Sequence, residues 1–263
     1  MTTAKEIYNH LEHLYPLSGC MPRDNCGFLA GKQHAKTDTI MLSLDITLDT
    51  IKQANDAGAQ LIISHHPLLF DAADVADTNI QGARIIQLLS NNLAAICMHT
   101  NLDSAPGGIN QTLARLIGLE DISFCTKTDS DNGFGIGRIG VLQPVQSLPK
   151  FLKTIQKALG CNGLRYFNSG KDVRNVMVGS GSCGEYLEVA ARLGCDTFVT
   201  ADVKHDRWLA AAEFGINLID AGHFHTENIF IQPVKAVLEK QFPQLKICIA
   251  NTPHPCKFAN FEE

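Results

Sequence analysis

The stretch Leu61-Ile62-Ile63-Ser64-His65-His66-Pro67 decides how the rest of the chain reads. A short apolar run of this kind makes a strand buried on both faces, and the proline after the histidines keeps its ladder from continuing. Two imidazoles therefore stand at the C-terminal end of a strand. In open α/β sheets ligands bind outside that edge, so paired histidines there are candidates for holding a metal ion.

Working outward from this stretch, strands and helices alternate. Residues 39–46 have strand character, 48–57 helical spacing closed by Gly58, and 60–64 form the strand that ends in the histidines. Upstream, residues 4–15 carry Ile7, Leu11 and Leu14 on one stripe, and 25–31 read as a glycine-bounded strand. Downstream come a helix over 81–91, a strand over 93–98, the segment His99-Thr100-Asn101-Leu102-Asp103, a Pro106-Gly107-Gly108 loop and a helix through Leu113 and Leu116. The alternation then begins again, with strands over 134–142, 164–167, 173–178 and 216–221 and a helix over 148–159. It implies right-handed β-α-β units: an α/β fold of mostly parallel sheets flanked by helices.

The later series repeats the earlier one. Residues 182–202 align without gaps on 46–66, which sets Gly194 on Gly58, Phe198-Val199 on Ile62-Ile63 and Ala201-Asp202 on His65-His66. Residues 216–221 precede Gly222-His223 as 93–98 precede His99. An internal duplication is expected: a first half, 1–127, carrying His65, His66 and Asp103, and a second, 128–263, carrying His223 and Glu227. The segment from about 235 to 263 is expected to pack back on the first half, and the site to lie where the halves face each other.

Composition bounds the function. At 263 residues, 45% apolar and 19% charged, the chain is long enough for a substantial core and too apolar to be disordered. A net charge of -5 without a basic stripe argues against nucleic acid as partner. Nine scattered cysteines, none in C-x-x-C spacing, fit reduced thiols rather than a disulfide framework. Residues 1–6 carry no apolar core and no run reaches membrane-spanning length, so a cytoplasmic protein with no membrane partner is expected.

Three clusters stand at the ends of expected strands: His65-His66, His99 to Asp103, and Gly222-His223-Phe224-His225-Thr226-Glu227. His223 and Glu227 are four apart, which puts both on one face where the strand turns into a helix. Taken singly, Asp103 reads equally as a turn residue before Pro106, and His223 with Glu227 as an exposed helix pair. Their coincidence points to a divalent metal, Zn²⁺, Mn²⁺, Fe²⁺ or Co²⁺. Five ligands, His65, His66, Asp103, His223 and Glu227, exceed what one tetrahedral ion with an open position needs. They suit two ions about 3.5 to 4 Å apart, with Glu227 as bridge and a water activated between them. His99 and Asn101 are candidates for orienting ligands or substrate, His225 for contacting substrate or solvent, and Lys204 and His205 for an anion. Gly179-Ser180-Gly181-Ser182-Cys183-Gly184 matches G-x-G-x-x-G, but Asp202 already has a place in the repeat, so a backbone nest for a substrate phosphate is favoured over a dinucleotide site.

The motifs Asp24-Asn25-Cys26-Gly27-Phe28, Ser64-His65-His66-Pro67, His99-Thr100-Asn101-Leu102-Asp103, Thr200-Ala201-Asp202-Val203-Lys204-His205 and Gly222-His223-Phe224-His225-Thr226-Glu227 occur in that order. Together they resemble the GTP cyclohydrolase 1 type 2 homologs, also called NIF-three-like proteins, over nearly the whole chain, in the short form without an inserted middle domain. The resemblance implies a duplicated α/β fold, a dinuclear centre on His65, His66, Asp103, His223 and Glu227, and a toroidal homohexamer. Phe224 and Ala201 stand where relatives can carry other residues. The family name implies hydrolytic opening of the guanine imidazole ring of GTP with loss of formate, for which a carboxylate or a histidine would shuttle protons, and Glu227 and Asp103 are the catalytic candidates. Two expectations follow: a metal-dependent hydrolase acting on GTP or another nucleotide-like or phosphorylated small molecule, or a metal-binding scaffold or delivery protein without a substrate.

Overall fold

The structure is a computed structural model and describes residues 1–69, 74–125, 135–254 and 256–257. In chain order its elements are α1 (Ala4–Leu14), β1 (Gly27–Ala30), β2 (Thr39–Ser43), α2 (Leu48–Asp56), β3 (Leu61–Ser64), α3 (Ile80–Ser90), β4 (Ala94–Cys97), α4 (Thr100–Ser104), α5 (Ile109–Leu116), β5 (Leu119–Phe124) and β6 (Arg138–Gln146). There follow α6 (Leu148–Leu159), β7 (Arg165–Phe167), β8 (Val173–Val178), α7 (Leu187–Arg192), β9 (Thr197–Thr200), α8 (His205–Phe214), β10 (Asn217–Asp220), α9 (His223–Glu227), α10 (Ile231–Gln241) and β11 (Lys246–Ile249). They form two compact units. The first comprises Met1–Ala105 with Phe230–Pro253, the second Pro106–Ile229 with the chain from His254.

The first unit holds a five-stranded sheet in the order β1-β4-β3-β2-β11. All four residues of β3 are buried, as a central parallel strand requires. Its neighbours β2 and β4 run parallel to it, β11 runs parallel to β2, and β1 closes the other edge antiparallel to β4. Alternation along the strands sends Met41, Ile62 and Ala95 to one face, where they pack with Ile51 and Ala54 of α2 and Ile85 and Leu88 of α3.

The second unit holds a six-stranded sheet in the order β5-β6-β8-β9-β10-β7. Alternation again sorts its residues. Val176, Val178, Val199 and Ile219 pack with Phe151 and Ile155 of α6 on one face, and Met177, Phe198 and Leu218 pack with Leu187, Ala190 and Ala211 on the other.

The two sheets share a plan of four strands, β1-β4-β3-β2 in one and β7-β10-β9-β8 in the other, three parallel and the first antiparallel. Gly58 and Gly194, aligned by the repeat, both have positive φ, at 68° and 73°, where the chain leaves a helix for a central strand.

The second sheet is less parallel than alternation alone implies. β5 and β6 pair antiparallel and β6 pairs antiparallel with β8, so parallel pairing is confined to β8-β9-β10. β5 and β6 each keep partly exposed residues, which an antiparallel edge tolerates and a helix-covered parallel strand does not. The strand expected from residue 134 begins outside the described residues, and β6 is observed over Arg138–Gln146. The expected boundary between halves at 127/128 and the final residues 258–263 also lie outside them. Among the described residues no helix is long and apolar enough to cross a membrane.

Candidate metal centre

In the first unit the chain turns sharply after β3. Ser64 Oγ donates to the carbonyl of His66 at 2.7 Å, and the His66 N–H to the carbonyl of Leu44 at 2.9 Å, so both histidines stay at the sheet edge. His65 is fully buried, and its Nδ1 lies 2.8 Å from the Met98 carbonyl. A carbonyl only accepts, so Nδ1 carries a proton and Nε2 is the nitrogen left to face the site. That nitrogen is 3.8 Å from Oδ2 of Asp103, a buried residue of α4.

Two more rings are held in the same way. His66 Nδ1 is 2.8 Å from Asp45 Oδ1, and His99 Nδ1 is 2.8 Å from Asp24 Oδ1. The three ring centroids lie 5.1 to 5.8 Å apart, and one nitrogen from each ring falls within 4.8 Å of the others. Anchoring Nδ1 on an acceptor fixes tautomer and orientation, the arrangement metal-binding histidines use.

Asp24 also accepts from the N–H and hydroxyl of Thr100, at the start of α4. Burial pushes its carboxyl up. The hydrogen bonds from His99, Thr100 and Cys26 outweigh this and hold it well below the usual carboxylate range. Asp45 stands half exposed, so Asp45→Ala should leave stability nearly unchanged while letting the His66 ring turn. Metal affinity, read by competition with a chromophoric chelator, is expected to fall roughly 10- to 100-fold; a wild-type affinity would show the contact to be immaterial.

In the second unit β10 ends at Asp220, and Gly222, with φ of 82°, turns the chain into the short helix α9. There His223 Nε2 is 2.7 Å from Glu227 Oε2, and His223 Nδ1 is 2.6 Å from Asp202 Oδ2. Asp202 follows β9 with φ of 49°, a left-handed conformation that aspartate tolerates, at the position the repeat aligns with His66. Burial pushes the His223 imidazole down, but Glu227 and Asp202 outweigh it and bring its pKa up to about 9.

The glycine-rich loop after β8 is a seat for Glu227. Its N–H groups point inward: Gly179 to the Val199 carbonyl at 2.9 Å, Ser180 to Asn110 Oδ1 at 2.7 Å, Gly181 to Thr226 Oγ1 at 3.1 Å and Cys183 to Thr200 Oγ1 at 3.2 Å. Four of the loop's N–H groups are thereby committed to the protein and withdrawn from the phosphate nest expected there. The dinucleotide reading fails too, since only a short 3-10 turn and the six-residue α7 follow. Gly181 has φ of 60°, and a Cβ there would lie 1.9 Å from Glu227 Oε1.

The remaining sequence candidates lie apart from these clusters or serve them indirectly. Asn101 is buried and donates to the Tyr15 carbonyl at 2.6 Å, pinning α4. Lys204 and His205 are exposed at the start of α8. His225 faces Phe224 and His254, with ring centroids 5.4 and 5.3 Å away, and its Nε2 is buried rather than in solvent. Sequence reasoning assigned no role to Asp24, Asp45 or Asp202, and gave Gly181 only a place in the expected phosphate nest. Two signals were present, since Asp24 opens the Asp24-Asn25-Cys26-Gly27-Phe28 motif and Asp202 aligns with His66.

Cys97 Sγ donates to the His65 carbonyl at 3.0 Å. Burial pushes this thiol well above its ordinary pKa, which leaves it an inert packing residue.

The family model described as Duf34/NIF3 (NGG1p interacting factor 3) matches residues 2–255. The chain belongs to this family. A GTP cyclohydrolase 1 type 2 homolog of Clostridium perfringens is 33% identical over 224 residues, covering 84% of this chain and 86% of the relative. Its namesake from Clostridium acetobutylicum is 31% identical over 252 residues, 95% of this chain and 93% of the relative. The crystal structure of a Staphylococcus aureus hypothetical protein superposes with a TM-score of 0.89 at 25% identity, covering 98% of this chain and 99% of that one. A Bacillus cereus protein related to NIF3 gives 0.90 at 21% identity over 98% and 99%, a likeness of fold alone.

The donor set in each unit fits a divalent cation of the borderline kind. Imidazole nitrogens and carboxylate oxygens meet at sheet edges, with rings already oriented by acceptors behind them.

Proposed function

We propose that this member of the Duf34/NIF3 family is a divalent-metal-dependent hydrolase. His65, His66, Asp103, His223 and Glu227 together hold two ions drawn from Zn²⁺, Mn²⁺, Fe²⁺ and Co²⁺. The observation that carries the reading is the anchoring of His65, His66 and His223 through Nδ1, which turns each Nε2 toward metal-ligating work beside Asp103 or Glu227. Such ions supply a polarised substrate oxygen and an activated water at neutral pH.

The chain's own residues do the rest. Asp45, Asp202 and the Met98 carbonyl fix the rings, the Gly181 turn seats Glu227, and the Glu227 and Asp103 carboxylates accept and return the proton of the hydrolytic step. GTP is the first substrate candidate, supported by the name of the relatives at 31 to 33% identity, with other nucleotide-like or phosphorylated small molecules behind it. A toroidal homohexamer and a cytoplasmic location belong to the same proposal, supported by the family resemblance, and light scattering reads the assembly.

Plasma mass spectrometry of protein purified without chelator or affinity tag is expected to give close to two transition-metal ions per chain, and fewer in His66→Ala. Metal-loaded protein is expected to release formate from GTP, and Asp103→Ala or Glu227→Ala to abolish release. Turnover surviving both substitutions, or protein that takes up no Mn²⁺, Fe²⁺, Co²⁺ or Zn²⁺, would sink the proposal.

A further inference from the structure

We propose a second cation site of different chemistry in the first unit, formed by Cys20, Asp24 and Cys26 and selective for a thiophilic divalent ion such as Zn²⁺. One ligand atom from each of the three residues lies within 4.8 Å of the others. Cys20 closes the 3-10 turn Leu17–Gly19, Cys26 immediately precedes β1, and the turn between them, with Arg23 at φ of 69°, folds the two thiols onto each other. The Cys26 thiol donates to Asp24 Oδ2 at 3.1 Å.

The spacing suits the ion. A tetrahedral zinc with Zn–S of about 2.3 Å and Zn–O of about 2.0 Å holds its donors about 3.5 Å apart, so the side chains need little adjustment. Two thiolates and one carboxylate leave a fourth position for water. Binding replaces the protons of the two thiols with the cation, and both protons pass to solvent.

These cysteines differ from the other thiols of the fold. Cys97, Cys125 and Cys183 are buried and each donates to a backbone carbonyl, of His65, Ile136 and Ser180 respectively. Cys20 and Cys26 are only half buried, and their sulfurs lie within 4.8 Å of each other. Sulfur donors also separate this site from the imidazole and carboxylate clusters, because soft ligands select Zn²⁺ over Mn²⁺. The site shares one residue with the first cluster's support: Asp24, whose other oxygen holds His99. Occupation here therefore draws on the carboxylate that orients that ring.

The test uses the reduced full chain, stripped of metal and titrated with Co²⁺. A sulfur-to-cobalt charge-transfer band is expected in the near ultraviolet. It should be absent from Cys20→Ser/Cys26→Ser and kept by His66→Ala/Glu227→Ala, so the fate of this site reads independently of the proposed hydrolytic centre. In unaltered protein, Zn²⁺ should slow alkylation of Cys20 and Cys26 at least tenfold and leave the exposed Cys256 unaffected. A band that persists in the serine variant overturns the proposal. So does wild-type protein that shows no band, including one whose two sulfurs have joined as a disulfide, or alkylation of both thiols that Zn²⁺ does not change.

Discussion

Replacing Gly181 with alanine is expected to cost the protein its metal and several degrees of thermal stability together. Gly181 sits at φ of 60°, where an L side chain is strained by about 1–2 kcal/mol. Its new Cβ would lie 1.9 Å from Glu227 Oε1 and 2.9 Å from the carboxyl carbon. The loop is held by the Gly181 N–H on Thr226 and the Ser180 N–H on Asn110, so it cannot yield without losing buried hydrogen bonds. Glu227 must move instead, and its bond to His223 Nε2 breaks. Strain and overpacking together come to about 3 kcal/mol, which lowers the melting temperature of a domain this size by roughly 6–12 °C. Gly194→Ala is the matched control. It has φ of 73° in the same unit but nothing within 4 Å of the added carbon, so it should show the backbone strain without loss of metal. Metal content unchanged in Gly181→Ala would mean that the loop does not seat the carboxylate.

The parts of the fold legible in sequence were those where one signal dominates. Residues 61–64 are apolar because β3 is covered on both faces, and the break at Pro67 marked its end, so the histidines could be placed before any geometry was known. The shared strand plan of the two sheets showed through aligned glycines, since Gly58 and Gly194 fill the same left-handed position. β5 escaped because Leu119–Phe124 alternates weakly and lies against an exposed edge, where burial writes little into the sequence.

The clusters divide along the same line. Imidazoles and carboxylates at strand ends announce themselves by type, whereas the acceptors behind them do not. Asp45 and Asp24 act on rings 21 and 75 positions away along the chain, and an aspartate in a turn reads as a turn residue. The glycine loop misled for a related reason. Its spacing matched a phosphate-binding pattern, but the destinations of its N–H groups depend on Asn110, Thr226 and Thr200, which no local motif contains.

Metal uptake is expected to weaken steeply as pH falls below about 9. Burial alone would depress the His223 pKa, but the imidazole lies between the carboxylates of Glu227 and Asp202, and these bring it up to about 9. In metal-free protein at neutral pH the ring is therefore an imidazolium, and Nε2 must lose its proton before it can ligate. Each pH unit below 9 then costs roughly tenfold in apparent affinity, so binding at pH 7 should be about 100-fold weaker than at its plateau. Calorimetry in buffers of different ionisation enthalpy should show close to one proton released from this residue per chain at pH 7. Asp202→Asn removes one of the two carboxylates and should move the inflection down toward the ordinary imidazole value of 6.5. Stability has the opposite dependence. A raised imidazole pKa stabilises the metal-free fold fully below about 6.5, and that contribution is lost as pH rises through 9. Across this interval the metal-free protein should melt lower with rising pH while the protection given by saturating Zn²⁺ grows. Parallel melting curves with and without the ion would mean that His223 does not exchange its proton for metal.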